Sequence, residues 1–486
     1  MPTEKIAIDR AKTALSRRGY STPMKHALDD GLIGPSFTVL DYGCGRGDDV
    51  SRLRGQGISC TGWDPNHHPD PSPTEADVVN LGYVINVIED TTERQETLRR
   101  AWQLARRVLI VAAQVQMPGR GIGYVQFGDG LVSTRGTFQK FYAQSELKEY
   151  LETELETQPI PATVGVFYLF KDENSQQQFL ANKYSRRVSV PRLRVSEQRY
   201  EENKALLNPF IDLLSVLGRV PDAEEYPDAE RLSNVFGSLT RAFALVRRVT
   251  GEESWTEIAR RRREDLLVFL ALARFRKRPP LSGLPATLQR DIRAFFGNYT
   301  KACQQADDLL FTAGNADAID TACQSSSVGK LLPNALYVHR SGLDSLDPIL
   351  RIYEGCAQAY VGQIEGANLI KLHRFSGKVS YLVYPDFEKD PHPALVRSVK
   401  LSLRTRELDC LDYSANESPP ILHRKETFLP HDHPLRERFA RLTQQEERNG
   451  LLDDAAGIGT RQTWKERLDT RGFTLRGHRL MRKPVS

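Results

Sequence analysis

The chain has 486 residues, of which 40% are hydrophobic and 27% are charged, and its formal net charge is +5 at pH 7. This length exceeds what one hydrophobic core normally serves, so we expect two or three domains in a protein of ordinary globular composition. No apolar run is long enough to span a bilayer and the N-terminus lacks the apolar core of a signal peptide, which excludes a membrane protein and predicts a cytoplasmic location.

The first predicted strand, residues 39–42, leads into a glycine-dense turn with the sequence D-Y-G-C-G-R-G-D at residues 41–48. Glycines at the junction of a strand and a helix allow a tight bend and a close approach between backbone and ligand. The spacing matches neither the dinucleotide pattern G-x-G-x-x-G nor the phosphate-binding pattern G-x-x-x-x-G-K-[ST]. It resembles the first motif of the class I S-adenosylmethionine-dependent methyltransferases, whose cofactor has no phosphate group.

A second predicted strand, residues 60–63, ends at Asp64, which stands where folds of this kind bind ribose hydroxyls. The resemblance implies a further strand and helix before Asp77, with a loop that holds the adenine ring. Only twelve residues separate Asp64 from Asp77, and many of them are proline or histidine. We therefore expect this unit to be shortened or lost, so that adenine contacts fall to residues 65–73 or to other segments.

Further strands are predicted at residues 77–83, 107–113 and 164–170, with a helix through Glu93 and Trp102. This alternation predicts a doubly wound, parallel α/β sheet. The strand end N-L-G-Y at residues 80–83 stands where amino-group DNA methyltransferases carry (D/N)-P-P-(Y/F), although both prolines are missing. Two interpretations remain open: base N-methylation through this motif, or a strand end that only lines the cofactor pocket.

The class I resemblance implies a set of site residues. S-adenosylmethionine would be held by Asp41, Gly43, Cys44 (through its backbone), Gly45, Asp48, Asp64, Asn80 and Leu81. The predicted catalytic residues are Asn80 and Tyr83, which would orient an exocyclic amine of the acceptor.

A glycine-rich segment follows the strand at residues 107–113 and is expected to cover the edge of the sheet where substrate binds. It combines basic and aromatic residues in a mixture suited to phosphate contact and base stacking. An equally weighted alternative is a hairpin that only packs on the sheet. The residues concerned are Arg120, Tyr124, Phe127, Arg135, Phe138, Lys140 and Tyr142.

Residues 181–325 predict a mainly helical, basic domain, because apolar residues recur at helical spacing from Leu206 to Leu217 and from Val235 to Val246. Arginine runs at residues 260–263 and 274–278 predict either contact with a nucleic-acid backbone or an ordinary solvated helix face.

Residues 326–486 predict an α+β domain that contains seven of the ten histidines and is a candidate for nucleic-acid binding. His–Arg pairs suit phosphate groups and occur at residues 339–340, 373–374, 423–424 and 478–479. Asp386, Asp390 and His392 carry metal-ligand groups, but no strong ligand spacing supports them. The six scattered cysteines also lack a C-x-x-C pair, so no metal site is predicted.

Several stretches together resemble the bacterial methyltransferases associated with DNA phosphorothioation. They are the glycine motif, T-A-L-S-R at residues 13–17, N-L-G-Y-V-I-N-V-I-E-D at 80–90, A-L-Y-V-H-R-S at 335–341 and L-H-R-K-E at 422–426. The resemblance implies a role beside the system that replaces a backbone phosphate oxygen by sulfur in bacterial defence. The implied partners are DNA, including phosphorothioate-modified DNA, and proteins of that system.

The predicted protein is thus a class I methyltransferase-like, Rossmann-like domain (residues 1–180) followed by the helical domain (181–325) and the α+β domain (326–486). The leading functional hypothesis is methyl transfer from S-adenosylmethionine to DNA. Two alternatives stay open: an RNA or small-molecule methyltransferase, and a non-catalytic, cofactor-sensing scaffold that binds DNA.

Overall fold

The computed structural model describes residues 8–116, 123–186, 198–453 and 457–483. Contacts along the chain divide it into two compact units. The first unit comprises Met1–Asp172, Ser326–Ser345 and Glu354–Ser486, and the second comprises Glu173–Ser325 and Leu346–Tyr353. The N-terminal and C-terminal regions of the sequence therefore belong to one unit, while the three-domain division of the sequence stays a prediction.

The N-terminal part of the first unit is built on a six-stranded sheet with the strand order β2-β1-β3-β4-β9-β8. The four neighbouring strands β2, β1, β3 and β4 are parallel. Strand β9 is antiparallel to both of its neighbours, β4 and β8. The strands of this part are β1 (Val39–Tyr42), β2 (Cys60–Trp63), β3 (Ala76–Gly82), β4 (Ala105–Ala112), β5 (Val125–Phe127), β6 (Gly130–Val132), β7 (Phe138–Gln139), β8 (Ile160–Thr163) and β9 (Val166–Phe170). Its helices are α1 (Thr22–Asp29), α2 (Asp48–Gly55), α3 (Thr91–Leu104) and α4 (Gln144–Leu155).

Helices cover both faces of this sheet, which gives a Rossmann-like α/β architecture. Leu40, Leu109 and Phe167 project to one face, where they form a buried cluster with Leu98 of α3 and Leu151 of α4. On the other face α1 packs against β3, β4 and β8. Since the central strands are buried on both sides, their sequences are mostly apolar rather than alternating, with Asp41 of β1 and Asn80 of β3 as buried polar residues.

The predicted strand at residues 164–170 exists, but the expectation of an all-parallel sheet is wrong at this edge. Val164 and Gly165 connect β8 to β9, and Gly165 has a φ of +78°. A two-residue connection can only join antiparallel neighbours, because a parallel pair needs a long crossover. The added strand β8 was not predicted from the sequence.

The other edge of the sheet confirms the shortened unit after Asp64. Residues 64–75 are all described and contain no helix or strand, only an isolated bridge between Asp64 and His68. As a result β2 is the edge strand. The further strand and helix implied by the class I resemblance are therefore absent from this stretch.

The second unit is helical in its described residues and begins with α5, with a core formed by residues such as Leu207, Phe210, Leu232 and Trp255. The apolar repeat from Val235 to Val246 is not one helix, because Gly237 (φ +89°) ends one helix and Ser238 caps the next by accepting a bond from the Arg241 backbone N–H. The helices are α5 (Glu173–Tyr184), α6 (Gln198–Glu202), α7 (Lys204–Leu217), α8 (Ala229–Phe236), α9 (Leu239–Thr250), α10 (Glu252–Ala273), α11 (Ala286–Phe296), α12 (Tyr299–Thr312) and α13 (Ala316–Gln324).

The C-terminal part of the first unit contains a second six-stranded sheet in which strands β10 to β15 pair antiparallel in sequential order. Helices α15 and α16 and a small hairpin follow it in the chain. The elements are β10 (Lys330–Leu332), β11 (Ala335–His339), α14 (Pro348–Val361), β12 (Ala367–His373), β13 (Lys378–Val383), β14 (Arg397–Ser402), β15 (Leu408–Asp412), α15 (Arg436–Arg448), α16 (Arg461–Thr470), β16 (Phe473–Leu475) and β17 (Leu480–Arg482).

None of the helices in the described ranges combines the length and the apolar character that a membrane crossing requires.

Candidate cofactor pocket

The turn between β1 and α2 depends on glycine. Gly43, Gly45 and Gly47 have φ angles of +84°, +53° and +78°, in the left-handed region that side chains disfavour. At Gly43 a Cβ atom would lie 2.3 Å from Cγ2 of Val84, so the turn also approaches the segment after β3 too closely for any side chain. The sequence motif thus reflects both a sharp bend and a close packing contact.

A pocket of about 400 Å³ opens above this turn at the carboxyl ends of the parallel strands. It lies where open α/β sheets bind their ligands. The predicted site residues Gly43, Cys44, Gly45, Asp64 and Tyr83 all line it. The pocket walls also include Trp63, Pro65, Asn66, His67, Gly82, Val84, Val87, Ile88, Thr97 and Arg100.

Asp64 lies on the rim of the pocket and organises the loop around it. Its carboxylate accepts hydrogen bonds from the backbone N–H groups of Gly45 (3.1 Å), Asn66 (2.9 Å) and His67 (3.0 Å). An ionised carboxylate has about four acceptor positions, so these contacts leave room for about one more donor such as a hydroxyl.

Asp41 and Asn80 are brought together, but they lie beneath the pocket rather than on its wall. They are paired residues in β1 and β3, and Asn80 Nδ2 donates to Asp41 Oδ1 over 2.7 Å. Asn80 is 2% exposed, and burial raises the pKa of Asp41 to about 7. The structure therefore gives these two side chains no direct access to a ligand, and their predicted binding and catalytic roles stay predictions.

Leu81 and Asp48 are likewise absent from the pocket wall. Leu81 is fully buried in the core beneath the sheet edge. Asp48, in the first turn of α2, accepts a hydrogen bond from the backbone N–H of Arg17 over 2.6 Å. The visible function of the Asp48 carboxylate is to position the segment before α1.

Tyr83 has an unusual position because it lines two cavities. Its φ is +63°, which is strained for a residue with a side chain. Besides the first pocket it lines a second cavity of about 120 Å³, together with Thr22, Gln114, Glu365 and Arg397. The second cavity lies between the edge of the N-terminal sheet and residues of the C-terminal sheet in the same unit.

The segment before α1 forms part of the pocket, which the sequence did not predict. Arg10, Thr13, Ala14, Leu15 and Arg17 line the cavity. The Arg10 guanidinium is held by bonds of 2.5 and 2.7 Å to Glu93 of α3, and by a bond of 2.9 Å to Glu89. The T-A-L-S-R stretch contributes to the family resemblance, but nothing in its own pattern predicts contact with the pocket.

The charges on the pocket wall are balanced. Arg10, Arg17 and Arg100 provide positive charge, and Asp64, Glu93 and Glu96 provide negative charge. Such a wall has groups for both the carboxylate and the ammonium of an amino acid.

Most described residues of the predicted basic and aromatic loop contact other parts of the protein. Residues 117–122, which include Arg120, lie outside the described residues. Phe138 and Tyr142 are 1% and 2% exposed, and Lys140 forms ion pairs with Asp129 and Glu146, each over 2.9 Å. A nucleic-acid contact through these three residues is therefore wrong, and burial on the sheet explains their apolar and basic character. Tyr124, Phe127 and Arg135 remain exposed.

The arginine run in α10 is also largely paired with acids of the second unit. Arg260 and Arg261 bond to Glu257, and Arg262 bonds to Asp291. Arg278, at the end of the second run, bonds to Asp307 over 2.6 Å. These acids pair with Arg260, Arg261, Arg262 and Arg278, and contact of the runs with a nucleic-acid backbone stays a prediction.

The His–Arg pairs do not present charged histidines for phosphate binding. His339 stacks on Phe387, with ring centroids 4.8 Å apart, and His478 stacks on Phe439 at 5.0 Å. Burial lowers the pKa values of His339, His373, His423 and His478 to about 4, so their imidazoles are neutral at pH 7. The structure therefore shows no charged imidazole in these pairs, and nucleic-acid binding by this region stays a prediction.

Comparisons with known proteins add little beyond the geometry. The sequence matches no protein-family profile and no curated protein at a significant level. The resemblance to the phosphorothioation-associated family therefore stays a prediction.

The solved structures that resemble part of the chain include three methyltransferases. A 1,6-didemethyltoxoflavin-N1-methyltransferase from Burkholderia thailandensis, bound to S-adenosylhomocysteine, is 17% identical over 31% of this chain and 78% of its own, with a TM-score of 0.24. The magnesium protoporphyrin IX methyltransferase ChlM from Synechocystis PCC 6803, also bound to S-adenosylhomocysteine, is 13% identical over 34% and 94%, with a TM-score of 0.23. The CcbJ methyltransferase from Streptomyces caelestis is 13% identical over 32% and 98%, with a TM-score of 0.22.

Proposed function

We propose that this protein is an S-adenosylmethionine-dependent methyltransferase. The observation that supports the proposal most strongly is the glycine turn after β1, which opens into a pocket of about 400 Å³ beside the acidic rim at Asp64. The turn lacks the lysine and the glycine spacing of phosphate-binding loops. A cofactor without phosphates fits such a turn better than a nucleotide does.

The residues present fit this cofactor. Three acids and three arginines share the pocket wall, which suits a ligand with an ammonium, a carboxylate and a sulfonium group. Arg17 and Arg100 are the candidates for the carboxylate, and Asp64 for the ribose hydroxyls. The bound cofactor would supply an activated methyl group. With the unit after Asp64 shortened, residues 65–67 and Trp63 are the wall segments available to the adenine.

The chain would contribute mainly alignment and exclusion of water, since a sulfonium methyl group is already a reactive electrophile. The Arg10 contacts with Glu89 and Glu93 hold the N-terminal segment against the pocket. Tyr83 lies at the junction with the second cavity, where it would orient the acceptor.

For the acceptor we propose DNA, including phosphorothioate-modified DNA, with proteins of the phosphorothioation system as partners. This choice rests on the resemblance of the sequence to the phosphorothioation-associated family. Exposed Tyr124, Phe127 and Arg135 of the β5–β7 segment offer stacking and phosphate contacts near the sheet edge.

A small-molecule acceptor is the second candidate, and one observation favours it. The cavity beyond Tyr83 has only about 120 Å³, and Glu365 and Arg397 of the C-terminal region help to line it. A space of this size admits a single ring or a small functional group more readily than a large ligand, since typical ligand pockets hold about 300–1,000 Å³.

Cofactor binding is tested by calorimetry of the full chain with S-adenosylmethionine and S-adenosylhomocysteine. Arg17→Gln should weaken binding on the order of tenfold, because it removes a charged hydrogen bond of about 1.5–3 kcal/mol. Arg18→Gln is the matched control, because Arg18 is exposed and does not line the pocket. No binding of either ligand would reject the methyltransferase and the cofactor-sensing scaffold together, whereas binding without methyl transfer to any acceptor would favour the scaffold.

Acceptor choice is tested by transfer of radiolabelled methyl groups to ordinary DNA, phosphorothioate DNA, transfer RNA and a metabolite extract in parallel. Label in DNA supports the proposed acceptor, and label confined to metabolites supports the second candidate. Tyr83→Phe and Tyr83→Ala compared on the active substrate separate a contribution of the hydroxyl from one of the ring.

A further inference from the structure

A buried cluster of three metal-ligand groups lies in the C-terminal part of the first unit, away from the cofactor pocket residues. His392 follows β13, His423 precedes residues 425–428, and Glu446 belongs to α15. One donor atom from each of these side chains lies within 4.8 Å of the others. The sequence could not reveal the group, because its members are 31 and 23 residues apart and match no short metal-binding motif.

Hydrogen bonds outside the cluster orient both imidazole rings. The nitrogen Nε2 of His423 lies 2.7 Å from the carbonyl oxygen of Ile458, and Nδ1 of His392 lies 3.3 Å from that of Leu422. A carbonyl oxygen can only accept, so these nitrogens carry the protons. The remaining lone pairs are therefore on Nδ1 of His423 and on Nε2 of His392, and the latter atom lies 2.7 Å from Oε1 of Glu446. Metal-binding histidines are typically held in this way.

Two of the converging acceptors have no partner among the described residues. Nδ1 of His423 and Oε2 of Glu446 are buried and make no hydrogen bond. Glu446 is 1% exposed, and its other oxygen lies 2.7 Å from Nε2 of His392. An unsatisfied buried polar atom is costly, by about 1–3 kcal/mol, so such a pair of atoms calls for a ligand or an ordered water.

The surroundings favour a closed, dry site. Trp464 of α16 packs against both imidazoles, with ring centroids 4.6 Å from each, and Ile421 and Leu451 belong to the same apolar cluster. Neutral imidazole is the form that binds metals, and the hydrogen bonds to the two backbone carbonyls leave one free lone pair on each ring.

We propose that His392, His423 and Glu446 form a binding site for one Zn²⁺ ion. Two imidazoles and a carboxylate are a known three-ligand zinc set, with a water as the fourth ligand. Ligands 2.0–2.1 Å from a tetrahedral ion lie about 3.3 Å apart, so small side-chain rotations from the observed spacing suffice. The ion would join the loop after β13, the segment before residue 425 and α15, and would thereby stabilise the C-terminal region.

The competing arrangement has no metal. In it Glu446 is protonated and donates to Nε2 of His392, and a water molecule satisfies Nδ1 of His423 and Oε2 of Glu446. Burial raises the pKa of Glu446 to about 7, which makes this arrangement a real alternative. The two arrangements differ in whether the protein binds metal.

The test uses the full chain, stripped with a chelator and titrated with Zn²⁺ alone, with the bound metal counted by elemental analysis. We expect one ion per chain and an increase in Tm on addition of Zn²⁺. Glu446→Gln and His423→Ala should each weaken binding on the order of 100-fold or more, since even outer hydrogen-bond partners of metal ligands are worth about 10- to 100-fold. His373→Gln is the matched control, because His373 has a similarly lowered pKa but lies on β12 outside the cluster.

A second measurement needs no ligand variant and guards against misfolding. Co²⁺ added to the stripped wild-type chain should give visible absorption bands of a four-coordinate ion and should quench the fluorescence of Trp464. Trp464→Phe should lose that quenching and keep the bound cobalt. A stoichiometry well below one, or equal binding by wild type and both ligand variants, would overturn the proposal in favour of the water-filled arrangement or of a site elsewhere.

The zinc-site proposal can be tested independently of the proposed methyltransferase function. The metal count and the cobalt spectrum do not involve S-adenosylmethionine, and the calorimetry of the cofactor does not involve zinc.

Discussion

Gly43 illustrates how a single position in the motif serves two constraints. The backbone at Gly43 has a positive φ, which disfavours a side chain. A Cβ atom there would also lie only 2.3 Å from Val84 Cγ2, which excludes one sterically. The first constraint is local and readable from the sequence, because D-x-G-C-G-x-G-D implies a sharp turn. The second depends on the segment after β3, which only the fold brings next to the turn.

Gly43→Ala should therefore destabilise the protein more than an alanine at another glycine of similar φ. Gly57, with a φ of +77° and no neighbour within 4 Å of a Cβ, is the matched control. We expect Gly57→Ala to cost about 1–2 kcal/mol from the backbone alone. Gly43→Ala should cost about 1–3 kcal/mol more from overpacking, measured by urea unfolding. Val84→Ala in the Gly43→Ala background should recover part of the loss, and no recovery would contradict the packing argument.

The buried Asp41–Asn80 pair should make stability depend on pH. Because the pKa of Asp41 is raised from 3.8 to about 7 in the folded state, the folded protein binds this proton more tightly than the unfolded chain does. The associated stability is fully present below about pH 4 and is lost as the pH rises to about 7. Asp41→Asn should remove this pH-dependent loss of stability. The free energy of unfolding of the variant minus that of wild type should therefore rise by a few kcal/mol between about pH 4 and pH 7, on the order of 1.4 kcal/mol per unit of pKa shift. A difference independent of pH would show that Asp41 is ionised in the folded state.

At the scale of elements, the second unit shows that Arg262, from the arginine run at residues 260–263, forms an ion pair between helices. Asp291 of α11 is fully buried and forms ion pairs with two arginines. Arg219, which follows α7, lies 2.6 Å from one carboxylate oxygen, and Arg262 of α10 lies 2.9 Å from the other. A run of arginines in the sequence cannot distinguish these internal pairs from a basic surface, because the acids that neutralise them lie far away along the chain.

Asp291→Ala should destabilise the second unit by about 3–5 kcal/mol, because Arg262 loses its buried acid and Arg219 keeps only Glu225. The control is Glu201→Ala, which removes an exposed pair with Lys204 at 3.6 Å and should cost no more than about 1 kcal/mol. Denaturant unfolding of the three proteins decides the matter. Similar losses in the free energy of unfolding for the two variants would show that the buried ion pairs stabilise the protein no more than the exposed pair does.

At the scale of the whole molecule, the charge distribution limits how DNA would be held. The net charge is only +5 over 486 residues, and much of the arginine content of the described helices is paired with acids. We therefore expect few phosphate contacts. The plot of log K against log salt concentration for duplex DNA should have a slope of about −3 or shallower, since each phosphate contact adds about −0.9. Fluorescence anisotropy at several salt concentrations measures this slope. A slope of about −6 or steeper would reveal an extended basic surface and contradict the expectation.

Local patterns in the sequence were enough to predict the features that depend on nearby residues. The glycine turn, the acid at Asp64, the strands at β1, β3 and β4 and the shortened stretch before β3 all follow from residue types at short spacing. Local backbone geometry and strand periodicity need no knowledge of distant residues, which is why these predictions hold.

Which residues meet could be seen only in the folded chain. Folding placed Asn80 beneath the pocket, brought Arg10 and Arg17 to its wall, turned arginines and histidines inward, and gathered His392, His423 and Glu446. Each of these outcomes depends on contacts between segments far apart in the chain, whose geometry is set by packing and burial. A charge or an imidazole has the same letter in the sequence whether it faces solvent, an acid or a metal ion.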